Sequence, residues 1–129
     1  MTSASTLVSS KVMTFVGARE PGRAKAFYSN VLGLRFVSED QFAVVFDLNG
    51  IMLRVAHVPE MVAAKYTVLG WEVPDIRAAV DDLRKAGVTF ERYGEFMQQD
   101  ERGIWNAPGG AKIAWFKDPD GNVLSLAQL

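Results

Sequence analysis

The sequence predicts an α+β domain built from two tandem β-α-β-β-β modules. Three observations predict it. A short apolar strand followed by a helix occurs twice, and each helix stops at a glycine, Gly33 and then Gly87. A turn-forming dipeptide closes the last hairpin of each copy, Asn49-Gly50 and then Asp120-Gly121. A segment with a breaker, Val58 to Lys65 with Pro59, separates the copies.

The elements follow in order. Residues 1–10 are small and polar and read as a flexible N-terminal tail. The domain runs over 11–128, with module one at 11–57 and module two at 66–128. Lys11 to Ala18 is an apolar strand. Glu20-Pro21-Gly22 breaks it and opens a helix, since proline is tolerated where the first helical N–H groups have no partner anyway. Ala24, Ala26, Phe27, Val31 and Leu32 carry that helix at helical spacing. Strands follow at Leu34 to Val37, Phe42 to Asp47 and Ile51 to Ala56. In the second copy Thr67 to Val73 is the first strand. Pro74-Asp75 opens a helix whose buried stripe is Ile76, Ala79, Val80 and Leu83. Val88 to Glu91, Ala111 to Lys117 and Val123 to Ala127 are its later strands.

One such module leaves a sheet edge unpaired and is a poor domain alone. Two side by side form a curved sheet of about eight strands, within the usual range. The helices then cover the outer face, and the concave inner face is a cleft, where ligands bind by default.

Composition excludes several classes. Hydrophobic residues make up 49% and charged residues 22%, a globular balance. The net charge is −1, so there is no basic surplus for nucleic acid. Without cysteine there is neither a disulfide nor a thiolate metal site. No apolar run is long enough to span a membrane, and the first ten residues lack the form of a secretory signal. The expectation is a cytoplasmic protein without membrane or nucleic-acid partners.

Larger motifs carry a resemblance. They are Arg23-Ala24-Lys25-Ala26-Phe27-Tyr28 through Leu32-Gly33-Leu34, then Val73-Pro74-Asp75-Ile76 leading into Ala86-Gly87-Val88. The most specific is Trp115-Phe116-Lys117-Asp118-Pro119-Asp120-Gly121-Asn122-Val123-Leu124. In this order the set resembles the vicinal-oxygen-chelate superfamily of glyoxalases, bleomycin-resistance proteins and extradiol dioxygenases. That resemblance implies one divalent metal in the cleft, with two ligands from each copy. The matching positions are Met13 and Arg54 in the first copy and Val68 and Ser125 in the second. None is serviceable: thioether is too soft, valine has no donor, arginine is a fixed cation and serine alone is a feeble ligand. The only histidine, His57, reads as a rim residue. The expectation is therefore no metal and no cofactor.

Strand alternation assigns faces. With Met13 inward, Phe15, Gly17, Val68, Gly70, Glu72, Met52, Arg54, Ala56, Val123, Ser125 and Ala127 also face inward. The outward set, Val12, Val16, Leu53, Val55, Leu69, Trp71, Val73, Leu124 and Leu126, is apolar enough to lie under helices. The cleft is thus mainly apolar, with two charges, Arg54 and Glu72. They orient a polar ligand, or pair as a structural bridge, or Glu72 is simply solvated at a wet cleft mouth. Tyr93 to Trp105 is longer than its counterpart and carries Phe96, Met97 and Trp105, so it is a ligand lid or a plug or dimer contact. Trp115 is placed on the cleft side if the second hairpin turn is one residue longer and Phe116 matches Phe46.

The leading expectation is a metal-independent small-molecule-binding protein, homodimeric, taking an apolar or aromatic ligand. Its candidate ligand-binding residues are Met13, Phe15, Met52, Arg54, Val68, Glu72, Trp105, Trp115 and Ser125. The alternatives are a metal-free isomerase or lyase with Glu72 as general base, a metal-dependent glyoxalase- or dioxygenase-like enzyme if the ligand placement is wrong, and a module that works through protein contacts.

Overall fold

The computed structural model describes residues 6–129. Of the expected tail, residues 1–5 lie outside that range, and Thr6–Ser9 form a 3-10 turn without buried residues. Module one comprises β1 (Met13–Ala18), α1 (Pro21–Ala26), β2 (Arg35–Glu39), β3 (Ala43–Leu48) and β4 (Ile51–His57). Module two comprises β5 (Thr67–Glu72), α2 (Ile76–Lys85), β6 (Trp105–Asn106), β7 (Lys112–Lys117) and β8 (Val123–Gln128). No described helix is long and apolar enough to cross a membrane.

The eight strands are divided between two four-stranded sheets, ordered β1-β4-β3-β2 and β5-β8-β7-β6. In each sheet the helical crossover returns the chain parallel to its first strand, so β1 pairs with β4 and β5 with β8 in parallel. The remaining pairs are antiparallel. Instead of one continuous sheet, β1 and β5 each end their own sheet with a single hydrogen-bonded neighbour.

Local chemistry explains the joints. Pro21 opens α1 without a side-chain cap. The chain then widens into a π turn over Phe27–Val31 and stops at Gly33, whose φ of 72° suits a residue without Cβ. Asp75 caps α2 by accepting from the Ala78 N–H at 3.2 Å, a contact that contributes about 1 kcal/mol. Asn49 and Gly50 have φ of 52° and 95° between the paired Leu48 and Ile51, a two-residue hairpin turn of the kind that matches strand twist.

One expected strand is absent. Val88 to Glu91 makes only an isolated bridge, Phe90 to Phe116, and one further bond from the Glu91 N–H to the Trp115 carbonyl at 2.8 Å. The fourth place in that sheet goes to Trp105–Asn106, paired with Ile113 and Lys112. Val88 and Phe90 are buried, so packing rather than a ladder holds this segment.

A single core runs through both modules. Tyr28, Phe46 and Leu53 of module one and Ile76, Phe116 and Leu124 of module two are fully buried. Each such burial stabilises by roughly 1.5–3 kcal/mol. A clamp at the β7–β8 turn joins the modules. Asp118 Oδ1 accepts from the backbone N–H groups of Asp120 and Asn122, both at 2.9 Å. Its Oδ2 accepts from the Tyr28 hydroxyl at 2.6 Å and from Asn122 Nδ2 at 2.8 Å. Asn122 Nδ2 also reaches the Gly17 carbonyl, and Asp120 Oδ1 accepts from the Arg19 N–H.

Candidate functional site

On module one the strand register places Met13 opposite Met52, Phe15 opposite Arg54 and Gly17 opposite Ala56. Val16, Leu53 and Val55 point the other way and are buried under α1, as alternation requires. Thr14 shares that parity and satisfies its hydroxyl on the Met52 carbonyl at 3.1 Å. Val12 precedes the strand and is exposed. The inward face is open: Phe15 is 58% exposed, Met13 46% and Met52 38%. At its far end the linker crosses the backbone of Gly17, where a Cβ would lie 2.8 Å from Met61 Sδ.

Arg54 is half-buried and makes no ion pair among the described residues. Its charge reaches Asp40. The N–H groups of Phe42 and Ala43 hold that carboxyl below its ordinary pKa, and Arg54 adds to the effect. His57 ends β4 and is exposed.

On module two Gly70 lies opposite Ser125, and Ser125 opposite Trp115. The approach is close enough that a Cβ on Gly70 would meet Ser125 Oγ at 2.7 Å. Trp115 is therefore on the inward face with Ser125, and Phe116, paired with Leu124, is buried like Phe46, paired with Leu53. Val68 departs from simple alternation. Thr67 pairs with Val123 and Leu69 with Leu124, so Val68 is the extra residue of a β-bulge and has no partner on β8.

Aromatic side chains gather on this face. Tyr93 stands edge-on to Trp115 with ring centroids 5.4 Å apart, and Trp105 lies 6.0 Å from Trp115 on the other flank. Burial, and then the nearby charge of Glu91, raise the Tyr93 pKa. A cavity of about 300 Å³ opens here, lined by Lys65, Tyr66, Thr67, Tyr93, Phe96, Met97, Trp115 and Val123. Phe96 is 90% exposed, so the long segment presents an uncovered aromatic ring at the cavity instead of plugging it. The segment is well braced. Gln99 accepts from the Tyr93 N–H and donates to the Glu91 and Gly103 carbonyls. Arg102 ties it to α2 through Asp81 at 2.9 and 3.2 Å.

The structure thus sets Trp105 and Ser125 beside Trp115, and around the cavity it adds Tyr66, Tyr93, Phe96 and Met97. Of the expected residues only Trp115 lines that cavity; Met13, Phe15, Met52, Arg54, Val68, Glu72, Trp105 and Ser125 do not. Glu72 instead lines a second cavity with Leu32, Leu34 and residues of α2. It forms no ion pair among the described residues, so the expected alternative of an Arg54–Glu72 bridge is not realised.

The positions where the fold would hold a metal do not fit one. Met13 and Arg54 share the open face of module one, Val68 sits in the bulge, and Ser125 lies between Gly70 and Trp115. The set offers one thioether, one cation, one hydrocarbon and one hydroxyl. No group of three His, Cys, Asp or Glu side chains that could hold a metal occurs among the described residues.

Comparisons place the chain among known proteins. The family model described as Glyoxalase/Bleomycin resistance protein/Dioxygenase superfamily matches residues 12–126. A member of that superfamily from Sphaerobacter thermophilus is 21% identical, with TM-score 0.73, covering 95% of this chain and 99% of that one. The lactoylglutathione lyase of Agrobacterium tumefaciens is 20% identical, with TM-score 0.67 and 93% of each chain covered. A glyoxalase/bleomycin resistance protein/dioxygenase from Alicyclobacillus acidocaldarius is 17% identical, with TM-score 0.71, covering 93% of this chain and 91% of that one. At these identities the likeness is one of fold. No curated protein matches the sequence.

Proposed function

We propose, from the premise that this chain belongs to the glyoxalase/bleomycin resistance protein/dioxygenase superfamily, that it binds a small aromatic molecule without a resident metal ion. The observation that carries this reading is the Tyr93–Trp115 pair lining a cavity of about 300 Å³, with Trp105 next to Trp115. That size is at the lower end of the ~300–1,000 Å³ usual for small-molecule sites. Ring faces and edges already set 5.4 and 6.0 Å apart favour a further planar ring. Lys65, in the lining, supplies a positive charge to fix a polar group.

In this reading the Met13–Phe15–Met52 face, with Arg54 beside it, is covered by a second copy of the chain. Each copy then brings an aromatic pocket to an apolar wall, and the homodimer completes the cleft. The general-base alternative has less support, because Glu72 does not line the aromatic cavity.

Titration with 2-naphthol, followed by tryptophan fluorescence, tests the reading. The expected result is saturable quenching that Trp115→Leu weakens. Unchanged fluorescence in the wild-type protein, or equal affinity in the variant, overturns it.

A further inference from the structure

We propose that Phe96 is a hinged cover for the aromatic cavity, whose ring closes over a planar ligand and retains it. This rests on the reading of that cavity as a ligand site and adds the residue that holds the ligand in place.

The base of the long segment is fixed. Gln99 Oε1 accepts from the Tyr93 N–H at 2.7 Å, and Gln99 Nε2 donates to the Glu91 and Gly103 carbonyls at 3.0 and 2.7 Å. One side chain thus ties together the backbone on both sides of residues 94–98. The tip is held differently. The Phe96 N–H donates to the Tyr93 carbonyl at 3.2 Å in the short 3-10 turn Gly94–Phe96. Beyond that turn, residues 94–98 make no hydrogen bond to the rest of the protein among the described residues. Gly94, Glu95, Phe96 and Gln98 are exposed. A stretch with exposed backbone and few buried contacts rearranges at low cost. Gly94 stands at the joint with φ of 56°, and nothing lies within 4 Å of where its Cβ would be. A residue without Cβ in open space can absorb the change in backbone angles that a swing requires.

The ring on this tip is placed to act. Phe96 lines the cavity with Met97, Tyr93 and Trp115, yet it is almost wholly exposed. Tyr93 is half-buried, held by the Gln99 clamp and set edge-on to Trp115, so one wall is rigid and the other is loose. A planar ligand against the rigid wall gives Phe96 apolar area to cover and a ring to pack on. Closure then shields the ligand from water and slows its escape.

The test uses the full chain with 2-naphthol as the probe. Stopped-flow tryptophan fluorescence reads binding and dissociation, and hydrogen exchange reads residues 94–98. The expected result is that exchange of these amides slows when 2-naphthol saturates the protein. Phe96→Ala should weaken binding about tenfold, chiefly through faster dissociation. Phe96→Tyr keeps the ring and should restore the wild-type rate. Neither variant should disturb folding, because Phe96 lies outside the core. Wild-type affinity in Phe96→Ala, or exchange at residues 94–98 unaltered by saturating 2-naphthol, would overturn the cover and leave the cavity reading standing. Failure of the wild-type protein to bind 2-naphthol would overturn both.

Discussion

The Tyr28 hydroxyl donates to Asp118 at 2.6 Å across 90 residues of chain, and both groups are buried. Tyr28 belongs to the helix of module one and Asp118 to the last turn of module two. The Asp118 carboxylate accepts four hydrogen bonds, three of them from its own turn. The turn is therefore pre-formed locally, and the tyrosine docks onto a fixed acceptor. This is the physical role of the Asp-Pro-Asp-Gly-Asn run: it locks one module against the other.

Tyr28→Phe removes that donor while keeping the ring. Hydrogen bonds to a charged group contribute about 1.5–3 kcal/mol, so stability should fall by that amount. Urea unfolding with an unchanged slope is the measurement. Alkaline pH gives a second readout. Burial first, then the charge and hydrogen bond of Asp118, raise the Tyr28 pKa well above its ordinary value. The folded state therefore keeps a proton that the unfolded chain loses. The stability tied to Tyr28 is complete below pH about 10 and declines as pH rises beyond it, by up to about 1.4 kcal/mol per unit. The difference between wild type and Tyr28→Phe should shrink over that range. A constant difference would show that the hydroxyl is not held in its neutral form.

Trp115→Leu should weaken an aromatic ligand, and Trp105→Leu should do so less, since Trp115 lines the cavity and Trp105 reaches it only through Trp115. Ring pairs are worth about 0.5–1.5 kcal/mol beyond buried area, so a loss of about two- to tenfold is expected. Calorimetric titration reads it directly. Glu72→Gln should leave this affinity unchanged, since Glu72 lines the other cavity.

Much of this was legible in the sequence, and the exceptions have physical causes. The two modules, their helix stops and the Asn49-Gly50 hairpin follow from periodicity and turn chemistry. The inward set of β1 and β4 follows from strict alternation, which their unbroken register preserves. Val68 escaped the rule because a bulge adds a residue, and nothing in Thr67-Val68-Leu69 announces one. Val88 to Glu91 reads as a strand because Val88 and Phe90 alternate with polar neighbours. Their burial is real, but the ladder belongs to Trp105. Arg54 and Glu72 shared a face on paper, yet distance across a sheet is not encoded in parity. The aromatic cavity needed Tyr93 and Phe96 to return to Trp115, and only tertiary structure shows that return.

Elemental analysis of protein purified without chelators should find no stoichiometric zinc, nickel, manganese or iron. The reason is donor chemistry at Met13, Arg54, Val68 and Ser125. Close to one such ion per chain would require a ligand set elsewhere, and chelation should then change the near-ultraviolet spectrum.

Phe15→Glu tests the assembly. Phe15 stands mid-strand, 58% exposed, flanked on the same face by Met13 and Met52. If a second copy covers this face, light scattering should give twice the 14.2 kDa chain mass for the wild type. A charge placed there would have to be desolvated in the dimer without a partner, at a cost of several kcal/mol, so the variant should run as a monomer. Its fold should survive, because Val16, Leu53 and Val55 on the opposite face carry the core. Binding of an aromatic ligand then separates two arrangements. Affinity retained in the monomeric variant means that the Tyr93–Trp115 pocket is complete within one chain. Affinity lost on dissociation means that the apolar wall comes from the second copy.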